Sequence, residues 1–484
     1  MKKLFLMVFL MGAIGIIAQN VHQGKFDFPT NSKELIVKKQ PATDTKSLVP
    51  KSKYLPPSGF RNTDIVNPIS IGQSGNAFGF AYMRTTFLWA VNDINSVSFI
   101  HRMLNPPGTG YLAFDISMDK GQTWTNNIQV YDPTLTGAAN GRYPQGLMYN
   151  PIGNTDPNEA YFSYFAPTLD GSNTGGGTAW GGYCWGTKKL AEGSLPTQHD
   201  QPSADDFYQY LPSGFTITQL GETWMVDEEN DGSSGEFVFT NNLIVGHGTW
   251  NDGTEDFDYT FDHLPLEINP DNGINDVKVA FAPDGMTGWI CAMSRRDPDL
   301  PYTSYHPIMF KTTDGGQTWD DDPIEVQLGG EDGLEAVREF ISDEDLASYF
   351  DPDPAPPRDE IDYFMGYHID LAVDAWGNPH IIGVVAIADL AAGTWNHSVG
   401  MFAMFHIYTA DQGENWQAFN LDYLTTFDEL YTGSTGSTVT QYNRPQVATT
   451  EDGAIVFFSF LIPASKVLPR TANPIFISVN TFQK

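Results

Sequence analysis

Ser117-Met118-Asp119-Lys120-Gly121-Gln122-Thr123-Trp124 is the stretch on which the reading of this chain turns, because it recurs twice. The later copies are Thr312-Thr313-Asp314-Gly315-Gly316-Gln317-Thr318-Trp319 and Thr409-Ala410-Asp411-Gln412-Gly413-Glu414-Asn415-Trp416. Each copy has Ser or Thr, then Asp, Gly, Thr or Asn, and Trp at fixed offsets, which marks an internal repeat. The pattern has the physics of a hairpin end. An Asp side chain accepts hydrogen bonds from backbone a few residues on, and Gly supplies the positive φ that a tight reversal needs. Strand-like residues precede two of the copies, Tyr111–Ile116 and His306–Phe310, and the Trp that follows each turn is a large apolar plug that must bury somewhere.

This pattern resembles the Asp-box of sialidases and related β-propellers, where the box closes the hairpin between the two outer strands of a blade. The resemblance implies architecture rather than chemistry, since Asp-boxes also occur in non-catalytic receptors and assembly factors. It assigns Asp119, Gly121, Trp124, Asp314, Gly316, Trp319, Asp411, Gly413 and Trp416 to the structural turn, with the aspartates' hydrogen bonds used up in holding it.

A second repeat fixes the inner hairpins. Ala280, Ala372 and Ala448 are each followed five residues later by a turn glycine, Gly285, Gly377 and Gly453, and then by an apolar strand. The first two box aspartates are 195 residues apart, three spacings of 65, and the next interval is 97. Setting aside an acidic, helix-like insertion over about 329–362 brings that interval to 63. The expectation is an all-β fold, a single β-propeller over 61–484 with six blades, seven being the alternative. Val66–Gly72 is expected to close the ring against Pro474–Val479, because an unpaired edge there would be a liability.

Composition narrows the partners. The chain has 484 residues and a formal net charge of −33, which argues against nucleic acid and against anionic membrane surfaces. Residues 1–18 read as a signal peptide, and 19–60, rich in Lys and Pro, as an extended leader. No later apolar run is long enough to span a bilayer. The mature protein is therefore expected to be a secreted or periplasmic monomer, with Cys184 and Cys291 as two buried thiols in non-adjacent blades.

Aligning the inner strands places Asp276, His368 and Arg444 at equivalent positions, with Lys278, Asp370 and Gln446 two residues on and Arg142 and Gln145 nearly in step. Inner strands crowd around a propeller axis, so these polar side chains should gather at one mouth of the channel, the expected place for a ligand. They could equally serve to satisfy one another in a wet channel. Arg142-Tyr143-Pro144 resembles the sialidase motif whose Arg belongs to a triad clamping the sialic acid carboxylate; Arg444-Pro445 is a poorer echo, and no nucleophile pair or acid/base Asp matches. Trp180, Tyr183, Trp185, Trp250 and Trp395 could stack on sugar rings or pack between blades. Asp227, Glu229 and Asp231, followed by Gly232, have the start of a calcium loop, although position twelve is Val238. The functional expectation is recognition of an extracellular glycan at the channel mouth, with hydrolysis open; the alternative is a non-catalytic module that binds a protein.

Overall fold

A computed structural model describes residues 69–76, 86–104, 106–135, 138–176, 179–268, 273–296, 300–389, 394–395, 400–424, 428–432 and 438–460. The expected signal peptide, most of the leader's junction and Pro474–Val479 lie outside the described residues. The chain is nearly all β and folds as consecutive antiparallel meanders. The first sheet holds β1 (Leu88–Val91), β2 (Ser96–Arg102), β3 (Leu112–Ser117) and β4 (Thr125–Tyr131). The second holds β5 (Gln145–Tyr149), β6 (Tyr161–Pro167), β7 (Tyr183–Lys189) and β8 (His199–Gln201). The third holds β9 (Gly214–Ile217), β10 (Glu222–Asp231), β11 (Val238–Asn251) and β12 (Asp256–Pro265). The fourth holds β13 (Asp276–Phe281), β14 (Gly288–Ser294), β15 (His306–Thr312) and β16 (Ile324–Glu325). In the fifth, β17 (Tyr363–Val373), β18 (Pro379–Asp389), β20 (Phe402–Thr409) and β21 (Trp416–Tyr423) pair in order, with β19 (Thr394–Trp395) on β18. A hairpin of β22 (Asp428–Thr432) and β23 (Thr438–Tyr442) precedes β24 (Gln446–Thr449) and β25 (Val456–Ser459), the described part of a further sheet.

The first strands of these sheets lie side by side, tied by hydrogen bonds from sheet to sheet. Gly146 N donates to Thr86 O (2.9 Å), just ahead of β1, and Thr86 N donates to Gln145 Oε1 (3.1 Å). Gln145 Nε2 donates to Pro212 O (3.1 Å) and Lys278 Nζ to Ser213 O (2.9 Å), both just ahead of β9. Ile369 N donates to Asp276 Oδ2 (3.1 Å) and Val447 N to Asp370 Oδ2 (2.9 Å). The order β1, β5, β9, β13, β17, β24 is that of strands packed around one axis, and the fold is a β-propeller. The apolar cores sit between successive sheets. Phe114 stacks on Phe162 at 4.0 Å between the first and second, and Leu147 and Phe165 pack with Phe215 and Met225 between the second and third.

The repeated turns are built alike. Asp119 Oδ1 accepts from Thr123 N (2.8 Å) while Thr123 Oγ1 donates to Oδ2 (2.7 Å), and Gly121 N donates to Ser117 Oγ (2.8 Å). Asp314 and Asp411 make the same bonds to Thr318 and Asn415. These donors, led by the side-chain bond, hold all three carboxylates down to about 2. The turns also couple sheets. Trp319 meets Trp224 of the previous sheet edge-on, with centroids 6.1 Å apart, and Trp416 meets Trp289 likewise at 6.4 Å. Trp289 Nε1 donates to Gly377 O (2.9 Å), which ties the fourth sheet to the fifth a second time.

The insertion carries α1 (Glu335–Arg338) and α2 (Asp343–Phe350), the latter capped by Ser342, whose Oγ accepts from Asp345 N (3.1 Å). Most of its acids are exposed, Asp345 being buried, and Leu334, Val337, Phe340, Ile341 and Leu346 are buried in the core between the fourth and fifth sheets, so the insertion is part of the packed fold. Cys184 and Cys291 are buried free thiols in β7 and β14. Of the expected ring-closing run, Ile69–Gly72 is described, and Ile71 O accepts from Asn126 of the first sheet. No described helix is long and apolar enough to cross a membrane.

Two outcomes follow from the turn chemistry. Gly121 (φ 86°) has open space around an added Cβ, whereas at Gly413 it would come within 2.9 Å of Trp289 and at Gly316 it would overlap the Trp224 ring. Gly121→Ala should therefore cost only backbone strain, about 1–3 kcal/mol, and Gly316→Ala a further ~1–3 kcal/mol of overpacking. Urea midpoints should rank Gly121→Ala above Gly413→Ala above Gly316→Ala, and equal midpoints would refute the latch. Because the three folded-state carboxyls titrate below their unfolded value of about 3.9, their stabilisation is full above pH ~4 and is lost as pH falls towards 2. Replacing all three by Asn should flatten the stability profile over that interval, which a series of thermal melts would resolve.

Candidate functional site

All six inner strands begin at one end of the propeller, and the second strand of each hairpin returns to it. Gln145, Asp276, Arg444 and Gln446 lie at or just ahead of the starts of their strands, with Lys278 two residues further along β13. His368 and Asp370 are level with that end of β13 through the bond from Ile369 N to Asp276, but are the sixth and eighth residues of β17, which starts earlier at Tyr363. Asp276 is fully buried; beyond Ile369 N it accepts from Val277 N (2.9 Å), and Lys278 Nζ (3.1 Å) and His368 Nδ1 (3.9 Å) sit beside it. Burial pushes Asp370 up to about 6, opposed by Lys278 and by the amides of Val447 and Leu371. Gln145, Lys278, Asp276 and Asp370 thus spend hydrogen bonds on the neighbouring sheets. Gln446 is exposed, and Arg444, with φ 49°, is lowered from its ordinary value by burial.

Arg142 is placed differently. The chain bridges from Gly141 to Thr168, and Arg142 N donates to Pro167 O (3.0 Å), which fixes the backbone against β6. Its Nη1 donates to Gly141 O (2.9 Å) and Thr109 O (3.3 Å). The same Thr109 carbonyl accepts from Arg102 Nε (2.7 Å). Two guanidiniums therefore converge on one carbonyl oxygen. Arg102 is 6% exposed, and burial, then the Arg142 charge, pull it down to about 9, with Tyr143 opposing; burial lowers Arg142 as well. Among the described residues no carboxylate forms an ion pair with either guanidinium. Both remain cationic at neutral pH, so the pair is a double positive charge, buried at Arg102 and partly buried at Arg142, in a strongly acidic protein.

Arg102 carries no motif and was not singled out by sequence. The signal that could have found it is topological: it closes β2, so it must return to the end where Arg142 enters β5. Next to the pair, Tyr143 (φ 39°) meets Trp180 at a tilt of 43° with centroids 5.6 Å apart, and Trp180 packs edge-on against Tyr210.

A cavity of about 200 Å³ is lined by Ala139, Thr168, Asp170, Tyr183, Asp200 and Gln201, with neither arginine in its wall. Asp170 Oδ1 accepts from Ser172 Oγ (2.7 Å) and Ser172 N (2.9 Å), and Asp200 Oδ1 from Tyr131 OH (2.8 Å). Thr168 is almost fully buried, and its hydroxyl has no hydrogen-bond partner among the described residues. Of the aromatics expected to meet sugars, Trp180, Tyr183 and Trp185 are buried between sheets and Trp250 is packed among Tyr149, Tyr161 and Phe257; the Trp395 side chain lies outside the described residues.

The suspected calcium loop is a strand. Asp227, Glu229 and Asp231 belong to β10, and their oxygens are taken by protein donors. Asp227 accepts from Tyr183 OH (2.7 Å), Tyr210 N (2.9 Å) and Leu211 N (2.9 Å), and burial pushes it up to about 8 against those bonds. Glu229 accepts from Tyr208 N (3.0 Å), Thr240 Oγ1 (2.5 Å) and Asn242 Nδ2 (3.0 Å), and Asp231 from Ser233 N (2.7 Å). The correction is physical: a strand sets alternate side chains about 6.5 Å apart, so they do not wrap one ion. No group of three His, Cys, Asp or Glu among the described residues could hold a metal ion.

No protein-family model matches the chain, and no curated protein matches it either. Among solved structures it is similar to the polysaccharide lyase Uly1, at 12% identity over 87% of this chain and 85% of that one, with a TM-score of 0.40. It is also similar to the Trypanosoma rangeli sialidase bound to sialic acid, at 11% identity over 79% and 52% with a TM-score of 0.33. A third likeness is to the Cellvibrio cellulosa alpha-L-arabinanase, at 11% identity over 67% and 92% with a TM-score of 0.31.

Proposed function

We propose that this protein is an exported Asp-box, sialidase-like propeller that recognises an extracellular glycan carrying a carboxylate, at the strand-start mouth. The observation that carries the reading is the convergence of Arg102 and Arg142 on Thr109 O without a carboxylate partner among the described residues. Two guanidiniums repel each other, and a carboxylate between them relieves that repulsion while accepting hydrogen bonds in a matching fork. The cavity that Ala139 shares with Thr168, Asp170 and Asp200 supports a sugar-ring subsite, with those three side chains as the candidate partners of ring hydroxyls. Hydrolysis would need two carboxylates flanking a glycosidic bond, and Asp170 and Asp200 are the pair that shares this cavity.

The test is a glycan array of uronate-, sialate- and neutral-sugar oligosaccharides, with a parallel hydrolysis assay. The acidic glycans should bind, and Arg102→Ala or Arg142→Ala should each weaken them by about 10–100-fold, the worth of one or two charge-assisted hydrogen bonds. Arg142→Lys should recover only part, because an ammonium cannot reproduce the planar fork. Wild-type protein that holds acidic and neutral glycans equally, or holds neither, would end the proposal.

A further inference from the structure

The opposite end of the propeller, where each inner hairpin turns, has a different chemistry. In the second, third and fifth sheets the residue before a positive-φ glycine is large and apolar: Ile152 before Gly153 (φ 78°), Leu220 before Gly221 (φ 80°) and Trp376 before Gly377 (φ 79°). In the sheet between the last two, Met286 follows Gly285 (φ 70°). These four tips are 83%, 53%, 46% and 42% exposed, whereas hairpin tips are ordinarily polar. Because all four occupy the same turn, the ring sets them side by side, and a Cβ added at Gly285 would lie 3.0 Å from Leu220 Cδ1.

The tips are held rigidly. Gln219 Nε2 donates across to Glu451 O (2.7 Å), Ala375 N to Gly453 O (3.0 Å), and Gln412 Nε2 to Trp376 O (2.8 Å). A surface already fixed in this way loses little conformational freedom when it is covered. The turns at this end also carry the exposed acids Asp252, Asp284, Asp411, Glu451 and Asp452.

We propose that this turn-end face is a docking surface for another protein, through a cationic segment that buries apolar side chains against Leu220, Met286 and Trp376 and sets Lys or Arg against the acidic rim. Exposed apolar groups gathered within a polar rim mark interaction sites, and here charge complementarity selects the occupant. A second copy would bring the same acids, on a chain of net charge −33, against themselves, and an anionic membrane surface would be repelled.

The probe is a dye-labelled peptide of mixed Lys and Leu, compared with an all-Lys peptide of equal charge, titrated with the full mature chain by fluorescence anisotropy. The Lys/Leu peptide should bind at least about tenfold tighter than the all-Lys one, and binding should weaken as salt screens the rim. Leu220→Asp with Trp376→Asp should reduce the Lys/Leu peptide to the all-Lys level, and Glu451→Lys should weaken both peptides while leaving the tips intact. Circular dichroism melts confirm that each variant is folded, and all three positions are exposed. Equal binding of the two peptides, or no change in the apolar double variant, would overturn the proposal. Sedimentation showing a wild-type dimer that the apolar double variant abolishes would overturn it too, and would assign the face to self-association.

Discussion

Indole meeting indole across a gap between sheets is the contact on which this architecture depends. A four-stranded sheet has two faces, and in a closed ring both are covered by neighbours, so the angle between neighbours must be set. Trp224 and Trp289, on the second strands of the third and fourth sheets, are fully or almost fully buried. Each is met edge-on by the tryptophan that ends the next sheet's repeated turn, and the turn glycine comes close enough that even a methyl group does not fit freely. The aspartate's hydrogen bonds hold the turn, the turn aims the tryptophan, and the tryptophan fixes the next sheet. Removing any one step loosens the others, which explains why these residue types recur together rather than singly.

Packing strands around an axis creates a second constraint. At the strand starts, backbone amides face a neighbour that does not pair with them as a β-ladder, and a buried amide without an acceptor is costly. Asp276 and Asp370 supply acceptors to Ile369 and Val447, and Gln145 reaches both the first and the third sheet. These side chains hold the ring together whatever else they do. Arg102 and Arg142 differ in kind, because they share a single backbone carbonyl between two positive charges. Positive charge held without an ion-paired carboxylate among the described residues is the feature that these sheet-to-sheet bonds do not account for.

The turns were legible in sequence because their chemistry is local: five fixed residue types within eight positions, each bonded within four residues. The inner hairpins were legible for the same reason: β13 starts at Asp276, where the Ala-to-Gly spacing places it, although β17 starts at Tyr363, five residues ahead of the aligned His368. What was hidden was whatever depended on the third dimension. Asp227-x-Glu229-x-Asp231 reads the same in a loop or a strand, and only its pairing with β11 decides that it is a strand. The insertion's acids were visible, but not that Val337 and Ile341 would bury between two sheets. Arg102 was hidden because its role comes from a residue forty positions away, which no local pattern encodes.

The two ends of the ring therefore differ in the physical range over which they act. At about 8 Å of screening length under physiological salt, a small paired-arginine site is felt only close in, while the excess of acid over the whole chain is felt further out. An anionic polymer approaching the strand-start mouth would be repelled at a distance and held at contact, so that discrimination there would come from short-range geometry rather than from attraction on approach. At the turn end the long-range field and the contact chemistry have the same sign for a cationic partner. An acidic surface is a poor general lure for acidic glycans, so the recognition proposed at the strand-start mouth rests on the arginine pair and not on the protein's overall charge.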